Sequence, residues 1–263
     1  MDHSAVKNMK RYLPLAAVVF ASVLSSCGKD AVQQLAGTSP ASRIKFFNFG
    51  VNAPGVNFYA NDTKMTAVSS TTGTEAVLGT GYGKVGSGGF YSGIAPGQYT
   101  IKGKIAAATD KDLAVSSAAA TVADGKYYSF YMSGFYDATA KTVDAFIVED
   151  AVPPIDYTVA YVRFVNAISN SSPMVLNAKS TTTSVVTAVG PAIAYKGAGA
   201  FTPLPGGVYD LTTRVTGAAT DAIARTGVSF SAGNVYTVGA LGDITVTSTT
   251  AATRPTLDNT ANR

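Results

Sequence analysis

From residue 43 onward the chain alternates short apolar runs with clusters of Gly, Pro, Asn, Asp and Ser. Beyond the N-terminal segment no stretch sustains the period of an amphipathic helix, and the runs are rich in Val, Thr, Tyr and Phe, which suit strands. Residues 43–49, 56–60, 97–105, 127–133 and 142–149 read as strands separated by turn residues. In Ile44-Lys45-Phe46-Phe47-Asn48-Phe49 the in-and-out alternation is broken, as in a strand partly covered on both faces. On the strand that begins at Tyr127, residues Tyr128, Phe130 and Met132 share one face, and Tyr127, Ser129 and Tyr131 share the other. One of the two sets must be core.

The pattern then repeats. Arg43-Ile44-Lys45-Phe46-Phe47-Asn48 is echoed by Tyr161-Val162-Arg163-Phe164-Val165-Asn166 at an offset of 118. Pro96-Gly97-Gln98-Tyr99 is echoed by Gly206-Gly207-Val208-Tyr209 at an offset of 110. Gly125-Lys126-Tyr127-Tyr128-Ser129 is echoed by Gly233-Asn234-Val235-Tyr236-Thr237 at an offset of 108. A period this long means tandem domains, not a solenoid. The fold class expected is all-β: two tandem immunoglobulin-like antiparallel β-sandwich domains after an N-terminal signal peptide. The segments predicted are a signal peptide at 1–26, a polar tether at 27–41, a first sandwich at 42–150 and a stiff Pro-Pro linker at 151–157. A second sandwich follows at 158–246, then a low-complexity tail at 247–263 that is expected to fray.

The leader has three zones. Lys7, Lys10 and Arg11 form a cationic front, residues 13–23 an apolar run, and Leu24-Ser25-Ser26 leads into Cys27. The run is too short to span a hydrocarbon core, which needs about 20 apolar residues, and suits a signal-peptide core. This constellation resembles the lipobox of bacterial lipoproteins, which implies acylation of Cys27 and anchoring on a membrane, most readily the outer membrane. Two or more acyl chains convert marginal binding into stable anchoring. Met9 begins its own Met-Lys-Arg start and is an alternative first residue.

Composition narrows the chemistry. Cys27 is the only cysteine and His3, in the leader, the only histidine, so the body has no thiol, disulfide or imidazole chemistry. No cofactor is expected. Without the leader the side chains carry 17 basic and 15 acidic residues, scattered along the chain, which argues against a nucleic-acid partner. Carboxylate-only catalysis survives these exclusions, although the body has only Glu75 and Glu149 besides its aspartates.

The opening Arg43-Ile44-Lys45-Phe46-Phe47-Asn48, followed by Ala53-Pro54-Gly55-Val56-Asn57-Phe58-Tyr59, resembles the domain-of-unknown-function 4397 family. Ile94-Ala95-Pro96-Gly97-Gln98-Tyr99 and Asp124-Gly125-Lys126-Tyr127-Tyr128-Ser129 are similar to its other recurring segments, and two copies would cover roughly residues 42 to 245. Asn48 and Asn166 stand where that family often has His, and the second copy replaces the Ala-Pro turn with Ser169-Asn170-Ser171-Ser172-Pro173. The resemblance implies small β-sandwich modules on exported bacterial proteins and lends no settled activity.

Three motifs remain. Gly81-Tyr82-Gly83-Lys84-Val85-Gly86 fits G-x-G-x-x-G, but the Ser87-Gly88-Gly89 that follows cannot open a helix, so a glycine-rich loop is expected. Asp110-Lys111-Asp112 offers too few ligands for calcium and reads as a solvated turn, as Glu149-Asp150 reads as a solvated strand end. Tyr127 and Tyr131 are the candidate ligand-stacking pair, polar-tipped rings for a glycan or envelope protein, unless they pack inward against a neighbouring strand or the second domain. The expectation is a membrane-anchored, non-catalytic display or binding module. The alternatives are a carboxylate-dependent glycan hydrolase and a structural envelope module with no specific ligand.

Overall fold

A computed structural model describes residues 40–66 and 78–263. The expected signal peptide, Cys27 and the expected tether up to residue 39 lie outside the described residues. In the first domain, β1 (Arg43–Val51), β8 (Tyr127–Asp137) and β9 (Thr142–Glu149) form one sheet, with the short β4 (Lys84–Val85) and β5 (Ser92–Gly93) on the outer edge of β1. It faces a second sheet of order β3 (Thr63–Lys64), β2 (Val56–Ala60), β6 (Gly97–Ile105) and β7 (Ala114–Val122). In the second domain, β13 (Thr202–Pro205), β10 (Val159–Asn166), β16 (Val235–Leu241) and β17 (Thr256–Ala261) form a sheet in that order. Its companion runs β12 (Val186–Ala188), β11 (Met174–Ser180), β14 (Gly207–Val215) and β15 (Ile223–Phe230).

The three sequence echoes fall on equivalent strands: β1 with β10, β6 with β14, β8 with β16. Pairing is antiparallel apart from one parallel pair in each domain, β1 with β8 and β10 with β16. Each parallel partner is reached by a long excursion through the opposite sheet, which a hairpin could not provide.

Each repeated motif closes its turn with the same hydrogen bond. Tyr99 Oη donates to Ala95 O at 3.0 Å and Tyr209 Oη to Pro205 O at 2.7 Å. The Tyr128 hydroxyl accepts from Ala123 N and the Tyr236 hydroxyl from Ser231 N. Buried Asn48 accepts from Gly50 N and donates to Pro54 O and Thr80 O; Asn166 accepts from Ile168 N and donates to Ser171 Oγ and Ile193 O. Both asparagines therefore staple the loop that leaves the first strand of their domain, supplying partners that buried backbone groups need.

Each sandwich has its own core, built in the first domain around Phe46, Phe58 and Phe130 and in the second around Phe164, Leu176 and Phe230. A third apolar layer lies between them: Phe47, Phe49, Tyr131 and Phe146 from the first domain meet Val165, Ala167 and Leu241 from the second. The β1–β8 sheet and the β10–β16 sheet thus pack face to face, which explains why β1 is buried on both faces and breaks strict alternation. The linker joins two sandwiches that share a buried face. The tail expected to fray instead supplies β17, held to β16 along its length and pinned by Leu257, which is packed in the second core.

Candidate functional site

Alternation along the strands delivers a set of polar groups to the shared face. Lys45 precedes Phe47 on β1, and Ser129 precedes Tyr131 on β8, so both point where those rings point. Arg163 and Thr237 enter from β10 and β16, Asp150 stands just beyond β9, Tyr91 just before β5, and Asn262 just beyond β17.

They join in a closed ring. Arg163 Nη2 donates to Asp150 Oδ1, and Arg163 Nε to Thr237 Oγ1 at 2.9 Å. Thr237 Oγ1 donates to Asn262 Oδ1 at 2.8 Å, Asn262 Nδ2 to Tyr91 Oη at 2.7 Å, and Tyr91 Oη to Asp150 Oδ2 at 2.6 Å. Every member acts in its ordinary donor or acceptor sense. Ser129 Oγ adds a further bond to Asp150 Oδ2 at 2.7 Å, and Arg163 Nη1 reaches Glu149 O at 3.2 Å. Lys45 stands beside the ring, donating to Ala261 O at 2.6 Å with its ammonium 4.3 Å from the Tyr91 ring centre. At the far end of the seam Ser133 and Tyr195 share a hydrogen bond of 3.0 Å, and Tyr195 donates to Asp144.

Arg163 and Asp150 are each 2% exposed. Burial is the largest influence on Arg163 and opposes its charge, but the Asp150 carboxylate, by charge and by hydrogen bond, leads the opposing influences that together hold the guanidinium above its usual range. Burial pushes the Tyr91 phenol up, and Asp150 pushes it further. Burial lowers the Lys45 ammonium to about 8 and raises the Asp258 carboxyl. A buried ion pair of this kind fixes geometry more surely than it adds stability, because desolvation consumes most of the attraction.

The Tyr127 and Tyr131 pair is not a surface platform. Tyr131 is fully buried between the stacked rings of Phe47 and Phe146, at centroid distances of 4.4 and 5.0 Å, because its face of β8 is the one the second domain covers. Tyr127 is half-buried, edge-on to Tyr91 at 5.2 Å, on the wall of an open groove. Asp150 is also corrected: it is the hub of the ring and not a solvated strand end, while Glu149 does lie in solvent, paired with Lys126 at 2.9 Å. Asp110 takes Lys141 at 2.7 Å in an exposed turn. The glycine-rich segment runs through β4 into a short 3-10 turn at Gly86–Gly89, without the helix a dinucleotide site requires. The ring was not anticipated. Its sequence signal was a cation at the same register of both repeats, Lys45 and Arg163, each flanked by apolar neighbours.

Along one flank of the seam three open concavities adjoin. One of about 590 Å³ lies between Tyr127, Lys126 and the Pro153-Pro154 linker. It shares Asn262 and Arg263 with one of about 620 Å³ that lies between the glycine-rich segment and β17. A third, about 340 Å³, shares Gly83 and Asp258 with the second and ends at Arg254. Together they form a trough that follows β17 and its continuation.

The sequence profile described as "Domain of unknown function (DUF4397)" matches residues 42–177. No curated protein matches the chain. A solved structure described as a "putative cell adhesion protein" from Bacteroides fragilis is similar at 10% identity and a TM-score of 0.25, covering 84% of this chain and 97% of its own.

Proposed function

The chain belongs to the DUF4397 family, a domain of unknown function, and from that premise we propose that it is a non-catalytic binding module displayed on the cell envelope by a lipid on Cys27. The observation that carries this reading is the use to which the seam's charged groups are put. Asp150 is committed to Arg163, Tyr91 and Ser129, and Glu149 to Lys126. Among the described residues this leaves Asp124 as the remaining side-chain carboxyl on that section of the trough, with no second free one there to form the facing acid and base of a hydrolase. What these groups do is clamp two sandwiches into one body with an open trough along the junction, which is the form of a rigid recognition surface. The leader, with its cationic front, short apolar core and Ser25-Ser26-Cys27, supports the anchor.

The test is fractionation of cells that express the full chain or Cys27→Ala. The expected result is an acylated N-terminal Cys27 by mass spectrometry in the membrane fraction, and soluble Cys27→Ala protein. Membrane retention of Cys27→Ala would sink the anchor. Release of reducing sugar from envelope glycans by the purified chain, lost on Asp124→Asn, would favour the hydrolase.

A further inference from the structure

The trough along β17 has a chemistry of its own. Phe90 stands at the lip of its central section with 77% of its surface exposed. It is put there by three successive left-handed residues, Ser87 at φ 52°, Gly88 at 66° and Gly89 at 84°. A left-handed serine costs conformational energy, and such outliers collect where a loop is held for a purpose. A large apolar ring in water, held up by a strained loop, is more than a stray surface residue.

The floor beneath Phe90 is polar and cationic. Lys45 is 1% exposed, yet its ammonium makes one hydrogen bond, to Ala261 O, and borders the same section as Tyr91. The ammonium also lies over the Tyr91 ring, so it gives the trough floor positive charge from beneath rather than an open contact. Lys84 and Arg263 add exposed cations on the walls, and Arg254 stands at the adjoining end. Against these four the central and adjoining sections hold one carboxyl, Asp258, while the Tyr127 section holds Asp124, Glu149 paired with Lys126, and Asp150 paired with Arg163. Aromatic faces recur on both sides, Tyr82 toward Arg254 and Tyr127 toward Lys126.

The edge of β17 excludes one class of guest. Of its outward carbonyls, Leu257 O is capped by Arg225 at 2.8 Å and Ala261 O by Lys45 at 2.6 Å. An extended peptide adding as a further strand would have to displace both cations, since strand addition depends on those free groups. The cations are also too few for the phosphate backbone of a nucleic acid, which asks for a dense basic face.

We propose that the trough binds a linear acidic polysaccharide, one whose sugars carry carboxylates. Sugar faces stack on Phe90 and Tyr127, and the carboxylates pair with the exposed Lys84 and Arg263 above the positive charge of Lys45. The proposal rests on the display reading above and gives that module its ligand class.

The experiment is calorimetric titration of the full-length protein in detergent with hexagalacturonate, maltohexaose and hexaglutamate, for the wild type, Phe90→Ala and Lys84→Ala. Both variants lie outside the seam ring, so circular dichroism should be unchanged. The expected result is binding of hexagalacturonate that weakens with salt, with maltohexaose at least tenfold weaker. Phe90→Ala and Lys84→Ala should each weaken hexagalacturonate by roughly two- to tenfold. No binding of hexagalacturonate, or equal binding by folded wild type and variants, overturns the proposal. Hexaglutamate binding as tightly as hexagalacturonate overturns the sugar assignment. Cell fractionation is read separately, so loss of sugar binding with an intact anchor leaves the display reading standing.

Discussion

Lys45 and Arg163 hold equivalent places, one in each repeat, and both enter the same seam from opposite sides. Lys45 sits beside Ser129 in the β1–β8 ladder as Arg163 sits beside Thr237 in the β10–β16 ladder. Further along, Phe47 beside Tyr131 corresponds to Val165 beside Gly239. The two domains therefore meet through the same face of the same strands, as the subunits of an isologous dimer do. The match is complementary where it is not identical. Tyr131 is a large ring in one copy, and its counterpart Gly239 is the hollow that receives Phe49 from the other. Of the two cations only Arg163 finds a carboxylate by direct contact, and Lys45 is satisfied by a backbone carbonyl.

Removing one side of the Arg163–Asp150 pair should be far worse than removing both. Arg163→Met leaves the Asp150 carboxyl buried and unpaired, and a loss of about 3–5 kcal/mol is expected. Asp150→Asn combined with Arg163→Met removes both charges and should recover much of that loss. Urea denaturation of the full chain with a double-mutant cycle checks it. Additive losses would mean that the pair has no coupling and that the ring is incidental.

The hollow at Gly239 should not tolerate a side chain. A β-carbon there would come within 2.9 Å of Phe49 Cε2, and Phe49 is fully buried with no room to swing away. Gly239→Val should cost about 1–3 kcal/mol through overpacking. Phe49→Leu in the same chain should soften that loss, because the two positions share one space. If Gly239→Val melts with the wild type, the sheets are not in close contact at this point.

How far the sequence could be read follows from what alternation encodes. Local pattern was enough for the five strands read in the first repeat, the all-β sandwich class and the repeat, since each depends on residues close in the chain or on a simple echo, whereas strands such as β7 and β15 were not read. The double burial of β1 was also legible, in the broken alternation around Phe47. What covers that second face was not, because contacts such as Lys45 with Ala261 span 216 residues and leave no periodic trace. For the same reason the sequence left Tyr131 open between a ligand platform and inward packing against a neighbouring strand or the second domain, and Asp150 looked like a solvated end. Ala, Asn and Thr in the tail read as disorder, yet one Leu257 in the second core was enough to place a strand. The trough is assembled from the glycine-rich loop, the linker and the tail, three segments that no local rule brings together.

The asparagine staples should be as costly to remove in one repeat as in the other. Asn48→Ala takes the donor from Pro54 O, one of two donors from Thr80 O and the side-chain acceptor from Gly50 N, and Asn166→Ala takes the acceptor from Ile168 N and one of two donors from Ile193 O. Each should cost about 1–3 kcal/mol, the penalty for stranding buried polar groups. Asn48→Ser, too short to span the loop, should recover little. Amide exchange would locate the effect, with faster exchange at Gly50 in the first variant and at Ile168 in the second. Protection at Gly50 unchanged in Asn48→Ala would remove the stapling role.

Lys45 sets the alkaline behaviour of the fold. Its ordinary value is 10.5, and in the folded chain burial brings it down to about 8. Between those limits the unfolded chain binds the proton that the folded chain has released, so stability should rise with pH across this window. Below it both states are charged, and the folded state carries the whole cost of the buried ammonium. The tyrosines act in the opposite sense. Burial raises Tyr91 and Tyr131 above their ordinary 10.0, so beyond that pH the unfolded phenols ionise first and stability should fall. The net expectation is a stability maximum between about 8 and 10. Lys45→Met should lose the rising limb and keep the falling one. Urea midpoints for both proteins through the alkaline range decide it, and parallel curves would mean that Lys45 titrates as it does in water.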